Sequence, residues 1–165
     1  MALYEQFGEF DSYEEINKAA AGQLAEGDTE AIFAIAKENG IDSGEADDFI
    51  NGYEKELCTV YSAALGKIDV EAEYLGLKEA EMDYADIIRK ACLEDPELAA
   101  AVRKKNKSLA GALGTVLKKA WEIKHNLHRD ILDAAGLKGN VMSGSPGERT
   151  VVKLMKEYYL GGKKK

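Results

Sequence analysis

The residues able to do chemistry are few, and their spacing works against it. His125 and His128 are the two histidines of a 165-residue chain. With Glu122 they read E-x-x-H-x-x-H. Two three-residue steps rotate by about 120° around a helix, so the three side chains do not converge as i, i+4 ligands do. HExxH is absent and no cysteine lies nearby, so surface histidines and no metal are expected. Cys58 and Cys92 form no CxxC, and each sits in an apolar helical pattern, which predicts two buried, reduced thiols. Carboxylate pairs such as Glu14/Glu15 and Asp47/Asp48 abound. Acid–base catalysis needs two carboxylates in one cleft with separated pKa values, and mere abundance singles out no pair. The chain has no G-x-S-x-G and no P-loop. Ser143-Gly-Ser-Pro-Gly-Glu-Arg149 is shaped like an anion-binding turn, but Glu148 would repel a phosphate, and a capping turn is expected. These residues point to a non-enzymatic protein with no cofactor.

The elements that would position any site read as helices. Ser12 with Glu15 forms a capping-box pattern, followed by Ile16, Ala20 and Leu24 on one face. Asp28 caps a second helix with Ile32, Ile35 and Ala36 inward and Gly40 past its end. Asp42-Ser-Gly-Glu45 opens a short acidic helix ending near Gly52. A stripe of Tyr61, Leu65, Ile68, Ala72 and Leu75 spans about residues 57–75, with Asp69, Glu71 and Glu73 mostly off it. A helix over about 78–93 turns Met82, Ala85, Ile88 and Cys92 inward. Asp95-Pro96 caps the next helix and places proline in its first turn. Ser108 caps a long helix whose buried face is Leu109, Leu113, Val116, Ala120 and Trp121. Gly111 and Gly114 within it suggest close approach of another backbone. A helix over about 127–135 ends at Gly136. Ser145-Pro-Gly-Glu148 reads as a capping box for a last helix carrying Val151, Leu154, Met155 and Tyr158.

The expected fold is all-α: a compact bundle of about seven to nine helices without a sheet. It forms one domain over residues 1–162, with an acidic part (1–94), a basic part (95–162) and a basic tail (163–165). Residues 127–159 could be read as a helix-turn-helix, but the connection of about ten residues exceeds the usual three to four. The opening MALYEQFGEF lacks a basic start with an apolar run, and no apolar stretch approaches a membrane span. A soluble, cytoplasmic protein of a bacterial host cell is expected, with no membrane partner.

Charge is the most informative property. Residues 1–100 hold 25 Asp/Glu against 7 Lys/Arg, a charge of −18; residues 101–165 hold 5 against 15, or +10, giving the total of −8. The sign changes at Val102-Arg-Lys-Lys-Asn-Lys-Ser-Leu-Ala-Gly-Ala-Leu-Gly114. An acidic part can dock on a basic partner surface, including a groove built for nucleic acid. A basic part can touch phosphates or an acidic patch. The densest acidic run is Asp42, Glu45, Asp47, Asp48, Glu54 and Glu56. The basic candidates are Arg103, Lys104, Lys105, Lys107, Lys118 and Lys119.

Four segments carry a resemblance: Tyr4-Glu-Gln-Phe-Gly-Glu-Phe-Asp-Ser-Tyr-Glu-Glu-Ile-Asn17, Ala63-Ala-Leu-Gly-Lys-Ile-Asp-Val-Glu-Ala-Glu73, Val102-Arg-Lys-Lys-Asn-Lys-Ser-Leu-Ala-Gly111, and Lys156-Glu-Tyr-Tyr-Leu-Gly-Gly162. The chain resembles type II-A anti-CRISPR proteins of bacterial mobile elements, which inhibit Cas9. Through Lys107-Ser-Leu-Ala-Gly111 it also resembles the PcfK-like proteins of conjugative elements. The resemblance implies a partner in Cas9 or the Cas9–guide RNA complex, whose basic channels an acidic helical protein could occupy against DNA. It also leaves open direct contact of the basic part with nucleic acid. The alternative it implies is a nucleic-acid-binding accessory of a mobile element. It places no functional residue on this sequence.

Overall fold

Helix starts fall where a short polar side chain can accept from an otherwise orphaned amide. In the computed structural model, which describes residues 3–162, Ser12 accepts from Glu15 N–H ahead of α1 (Tyr13–Glu26). Asp28 and Asp42 cap α2 (Thr29–Glu38) and α3 (Ser43–Ile50). Thr59 and Ser62 make a reciprocal box at the start of α4 (Val60–Leu75). After α5 (Ala80–Glu94), Asp95 accepts from Glu97 and Leu98 N–H to open α6 (Pro96–Arg103). Ser108 caps α7 (Leu109–Ile123). The short α8 (Arg129–Ala134) and the longer α9 (Glu148–Leu160) complete nine helices among the described residues.

The chain is an all-α bundle. The one addition is a minimal antiparallel pairing of β1 (His125–Asn126) with β2 (Met142–Ser143), in which His125 faces Ser143 and Asn126 faces Met142. It clips the two ends of the α8 hairpin together, with Leu127 N–H donating to Val141 C=O at 2.9 Å.

Two apolar clusters fill the interior. One gathers α1, α2, α3 and the segment entering α4, around Ile16, Ile32, Ile35 and Phe49. The other gathers α4–α7 and α9, around Ile68, Ile88, Leu98, Leu109 and Met155. They divide within α4, where Ala63 belongs to the first and Ala64 to the second. The packing boundary therefore lies in the middle of the acidic sequence, far from the change in charge near residue 100.

Several local expectations need correction. Glu15 accepts from Asp11 N–H, one residue before the cap, at 2.8 Å. Ser145 does not cap α9: Gly147 is its N-cap, without a side-chain acceptor, and Ser145 Oγ lies 3.3 Å from Tyr84 Oη instead. Leu24 and Leu75 are exposed at the ends of their helices, and Glu71 is buried. Trp121 is 70% exposed. The buried face of α7 is Leu109, Ala112 and Val116; Trp121, twelve positions after Leu109, is rotated about 120° from it. Gly111 faces a side chain and not a backbone, since a Cβ there would stand 2.1 Å from Tyr158 Oη, whereas Gly114 opens onto free space. The expected tail, Lys163 to Lys165, lies outside the described residues.

The close backbone crossing is between Gly40 and Gly66. A Cβ on Gly66 would stand 2.3 Å from Asn39 C=O and 2.7 Å from Gly40 C=O. Gly40 itself has φ +67, open to glycine at no steric cost. This contact seats α4 against the α2–α3 turn. Gly66→Ala is expected to lower the unfolding free energy by about 3 kcal/mol, the upper end of overpacking costs, because carbonyls and not flexible side chains must move. Urea denaturation followed by circular dichroism measures it; a loss below about 0.5 kcal/mol would show that the crossing is loose.

Candidate functional site

The acidic run is displayed by the shortest helix of the first cluster. Ala46 and Phe49 of α3 point into the core, which turns Asp47 and Asp48 outward and leaves Glu45 half-buried. After Asn51 the chain turns through Gly52 at φ +75, and Glu54 and Glu56 stand exposed on the following loop. Asn17 of α1 holds the end of that loop, donating to Cys58 C=O and accepting from Cys58 N–H, both at 2.9 Å. Leu57 and Cys58 are thereby drawn inside while the carboxylates stay outside. Asp42, Glu45, Asp47, Asp48, Glu54 and Glu56 are thus brought together, and none of them forms an ion pair among the described residues. The Cys58 thiol registers the shared field. Burial pushes it up to about 12, with Glu45, Glu56 and Glu14 of α1 adding to the shift and Arg103 opposing it. Cys92, pushed up to about 12 chiefly by burial, is equally unreactive; both cysteines are free.

The basic candidates do not assemble. Arg103 is 1% exposed, which corrects its reading as a phosphate or partner contact. Its guanidinium donates to Asn39 Oδ1 at 2.7 Å and lies 5.5 Å from the centroid of the Tyr4 ring. Lys107 is half-buried: its ammonium donates to Tyr158 C=O at 2.5 Å and sits 4.8 Å from that ring's centroid. Lys119 pairs with Glu122 at 3.4 Å. Lys104, Lys105 and Lys118 remain exposed, the first two on the α6–α7 link and the third on α7.

What draws Arg103 inward is a buried polar cluster that the sequence reading missed. Lys67 and Glu71, one turn apart on α4, are almost fully buried. Lys67 Nζ pairs with Glu9, lies 3.7 Å from Glu71, and donates to the carbonyls of Lys104 and Lys107 at 2.7 and 2.8 Å. Glu71 accepts from Leu109 N–H at 2.5 Å. The segment before α1 closes over the cluster. Glu38 accepts from the amides of Gln6 and Phe7, and Asp11 from that of Lys105. Tyr4, with φ +56, places its ring by Arg103, and burial raises its pKa. The signal available in sequence was the small-residue setting of Lys67, just after Ala63, Ala64 and Gly66, which lets neighbours surround it.

The histidine motif comes apart. Glu122 lies near the end of α7, His125 falls in β1, and His128 caps α8 by accepting from Asp130 N–H at 3.3 Å. Among the described residues no group of three or more His, Cys, Asp or Glu is placed to hold a metal, and no helix is long and apolar enough to cross a membrane. No protein-family model matches the chain, and neither a curated protein nor a solved structure shows significant similarity to it.

Burial raises the pKa of Glu71, opposed by the Leu109 amide and by Lys67. A carboxyl that holds its proton more tightly in the folded chain loses its stabilising contribution as pH climbs from the ordinary value of 4.5. The stability of the wild type relative to Glu71→Gln is therefore expected to fall as pH rises above 4.5. Urea titrations of both proteins measure it, and a difference that grows with pH would mean the carboxylate is held as the anion. Lys67→Met leaves two carboxylates and two carbonyls without their cation, and a loss of about 3–5 kcal/mol is expected in the same assay.

Proposed function

We propose that this chain is a non-enzymatic interaction protein that inhibits Cas9 by occupying a basic, nucleic-acid-binding surface of the nuclease or of its guide-loaded complex. The observation that carries this reading is the acidic face on α3 and its flanking turns, where Asp42, Asp47, Asp48, Glu54 and Glu56 are exposed, Glu45 is half-buried, and none of the six forms an ion pair among the described residues. A fixed array of unpaired carboxylates presents a potential complementary to a channel lined with Lys and Arg. It also competes for the contacts that phosphates would make there. The likeness of four segments to Cas9-inhibiting anti-CRISPRs supports the choice of partner.

The alternative, a nucleic-acid accessory of a mobile element, depends on the basic third. Arg103 and Lys107 are engaged internally, and the cations left exposed, among them Lys104, Lys105, Lys118, Lys124, Arg129, Lys138, Arg149 and Lys153, are scattered from the α6–α7 link to α9. That distribution favours the acidic face as the primary contact.

Cleavage of target DNA by guide-loaded Cas9 orthologues, with and without the protein, tests the reading. Inhibition is expected at several-fold excess and should weaken as salt rises. The quadruple reversal Asp47→Lys, Asp48→Lys, Glu54→Lys and Glu56→Lys is expected to lower inhibitory potency more than tenfold with helical content unchanged. Full potency in the reversed variant would move the interface off α3. No inhibition of any orthologue, alongside gel shifts of duplex or RNA by the protein alone, would replace the proposal with the accessory reading.

A further inference from the structure

A fully buried guanidinium is ordinarily paired with a carboxylate. Arg103 is 1% exposed, yet it forms no ion pair among the described residues. The hydrogen bond it makes goes to a neutral group, with Nη2 donating to Asn39 Oδ1 at 2.7 Å. Its Nε and Nη1 are buried and reach no acceptor. The carboxylates of the cluster are committed elsewhere. Glu9 pairs with Lys67, and Glu71 accepts from the Leu109 amide and lies 3.7 Å from Lys67. Another donor stands beside the guanidinium. The Tyr4 ring centroid is 5.5 Å from Arg103 Cζ, and Tyr4 Oη is buried, in no geometry that makes a hydrogen bond. That hydroxyl feels the Arg103 charge, which opposes the rise in its pKa that burial causes. Tyr4 also walls a cleft of about 820 Å³ between the N-terminal segment, α2 and α4, so its far side faces a path from solvent.

We propose that the folded chain binds one small monovalent anion, of the chloride class, between the Arg103 guanidinium and the Tyr4 hydroxyl. The groups that meet there, Nε–H, Nη1–H and Oη–H, can all donate, so the partner they call for is an acceptor. Charge selects an anion over water. A water can accept from two of these donors, but it leaves the buried guanidinium without a counter-charge. Enclosure selects a small ion. With Arg103 1% exposed and the Tyr4 ring beside it, a phosphate or a partner's carboxylate does not reach the nitrogens. Tyr4 holds a left-handed backbone at φ +56, which is costly for a bulky side chain. An anion shared by its hydroxyl and Arg103 offsets that cost and fastens the segment before α1 to the end of α6. The site uses none of the carboxylates of the α3 face, so this inference does not rest on the proposed inhibition.

Urea denaturation of the full chain at fixed ionic strength, with gluconate exchanged for chloride over roughly two decades of concentration, reads the coupling. Above the dissociation constant, the folding equilibrium constant should rise close to tenfold for each tenfold rise in chloride. Tyr4→Phe keeps the ring beside the guanidinium and removes the hydroxyl. That variant should fold but need several-fold more chloride for the same gain. Arg103 is the buried one of the four arginines, so its Nε–H is the one shielded from exchange with solvent. In proton–nitrogen correlation spectra that signal should move when chloride replaces gluconate, a readout that needs no substitution at Arg103. Folding indifferent to the exchange of anions overturns the proposal and leaves the donors to water. A chloride dependence that Tyr4→Phe leaves unchanged, or an Arg103 signal that chloride does not move, also overturns it, by placing the ion elsewhere.

Discussion

Lys67 and Glu71 stand one turn apart on α4, and each closes the open end of a different helix. The Lys67 ammonium takes the carbonyls of Lys104, the C-cap of α6, and Lys107, where the chain leaves that helix. The Glu71 carboxylate takes the first amide of α7. A cation at a helix C-terminus and an anion at a helix N-terminus are also the signs the two dipoles favour. One turn of α4 thus fixes the path of the chain from α6 to α7. Burying these charges is expensive, and well-packed apolar residues can give more stability than an ion pair does. What the pair supplies is direction: it satisfies carbonyls and an amide that an apolar side chain would leave unpartnered.

The same cluster ties the two apolar clusters to each other. Asn39, at the end of α2, donates to Ile35 C=O and accepts from Arg103 at the end of α6. Next to it, Gly40 meets Gly66 on α4. Glu9 and Tyr4 bring the N-terminal segment onto the cations from the other direction. Removing a member therefore disturbs elements far apart in sequence, because the long-range contacts in the cluster span separations of 31 to 94 residues, from Phe7 with Glu38 to Asp11 with Lys105.

Helix starts were largely legible because capping is local chemistry: Ser12, Asp28, Asp42, Asp95 and Ser108 act where their sequence context says they should. Ser145 failed because Tyr84, 61 positions away, offers its hydroxyl a partner. Trp121 was misplaced by residue type: its size suggested core, while the helical angle from Leu109 and Val116 put it outside. The acidic candidates stay outside the core because Ala46 and Phe49 supply the buried face of α3. The basic candidates were equally close in sequence, yet Arg103 and Lys107 were lost to tertiary partners, Asn39 and Tyr158, that no local pattern reveals. Charge density locates a surface only where the core makes no demand on the charges.

That distinction changes what the division of charge means. The sequence changes sign near residue 100, but two of the cations at the junction are drawn into building it, Arg103 inside and Lys107 against Tyr158, while Lys104 and Lys105 give only their backbones, to Lys67 and Asp11. On the acidic side, Glu71 and Glu9 are the main carboxylates drawn into this cluster. The face on α3 is untouched by it. Folding thus takes Arg103, and part of Lys107, out of the surface at the junction, while Lys104 and Lys105 keep exposed side chains. The long-range field that steers a partner depends on exposed charge, not on charge counted along the sequence.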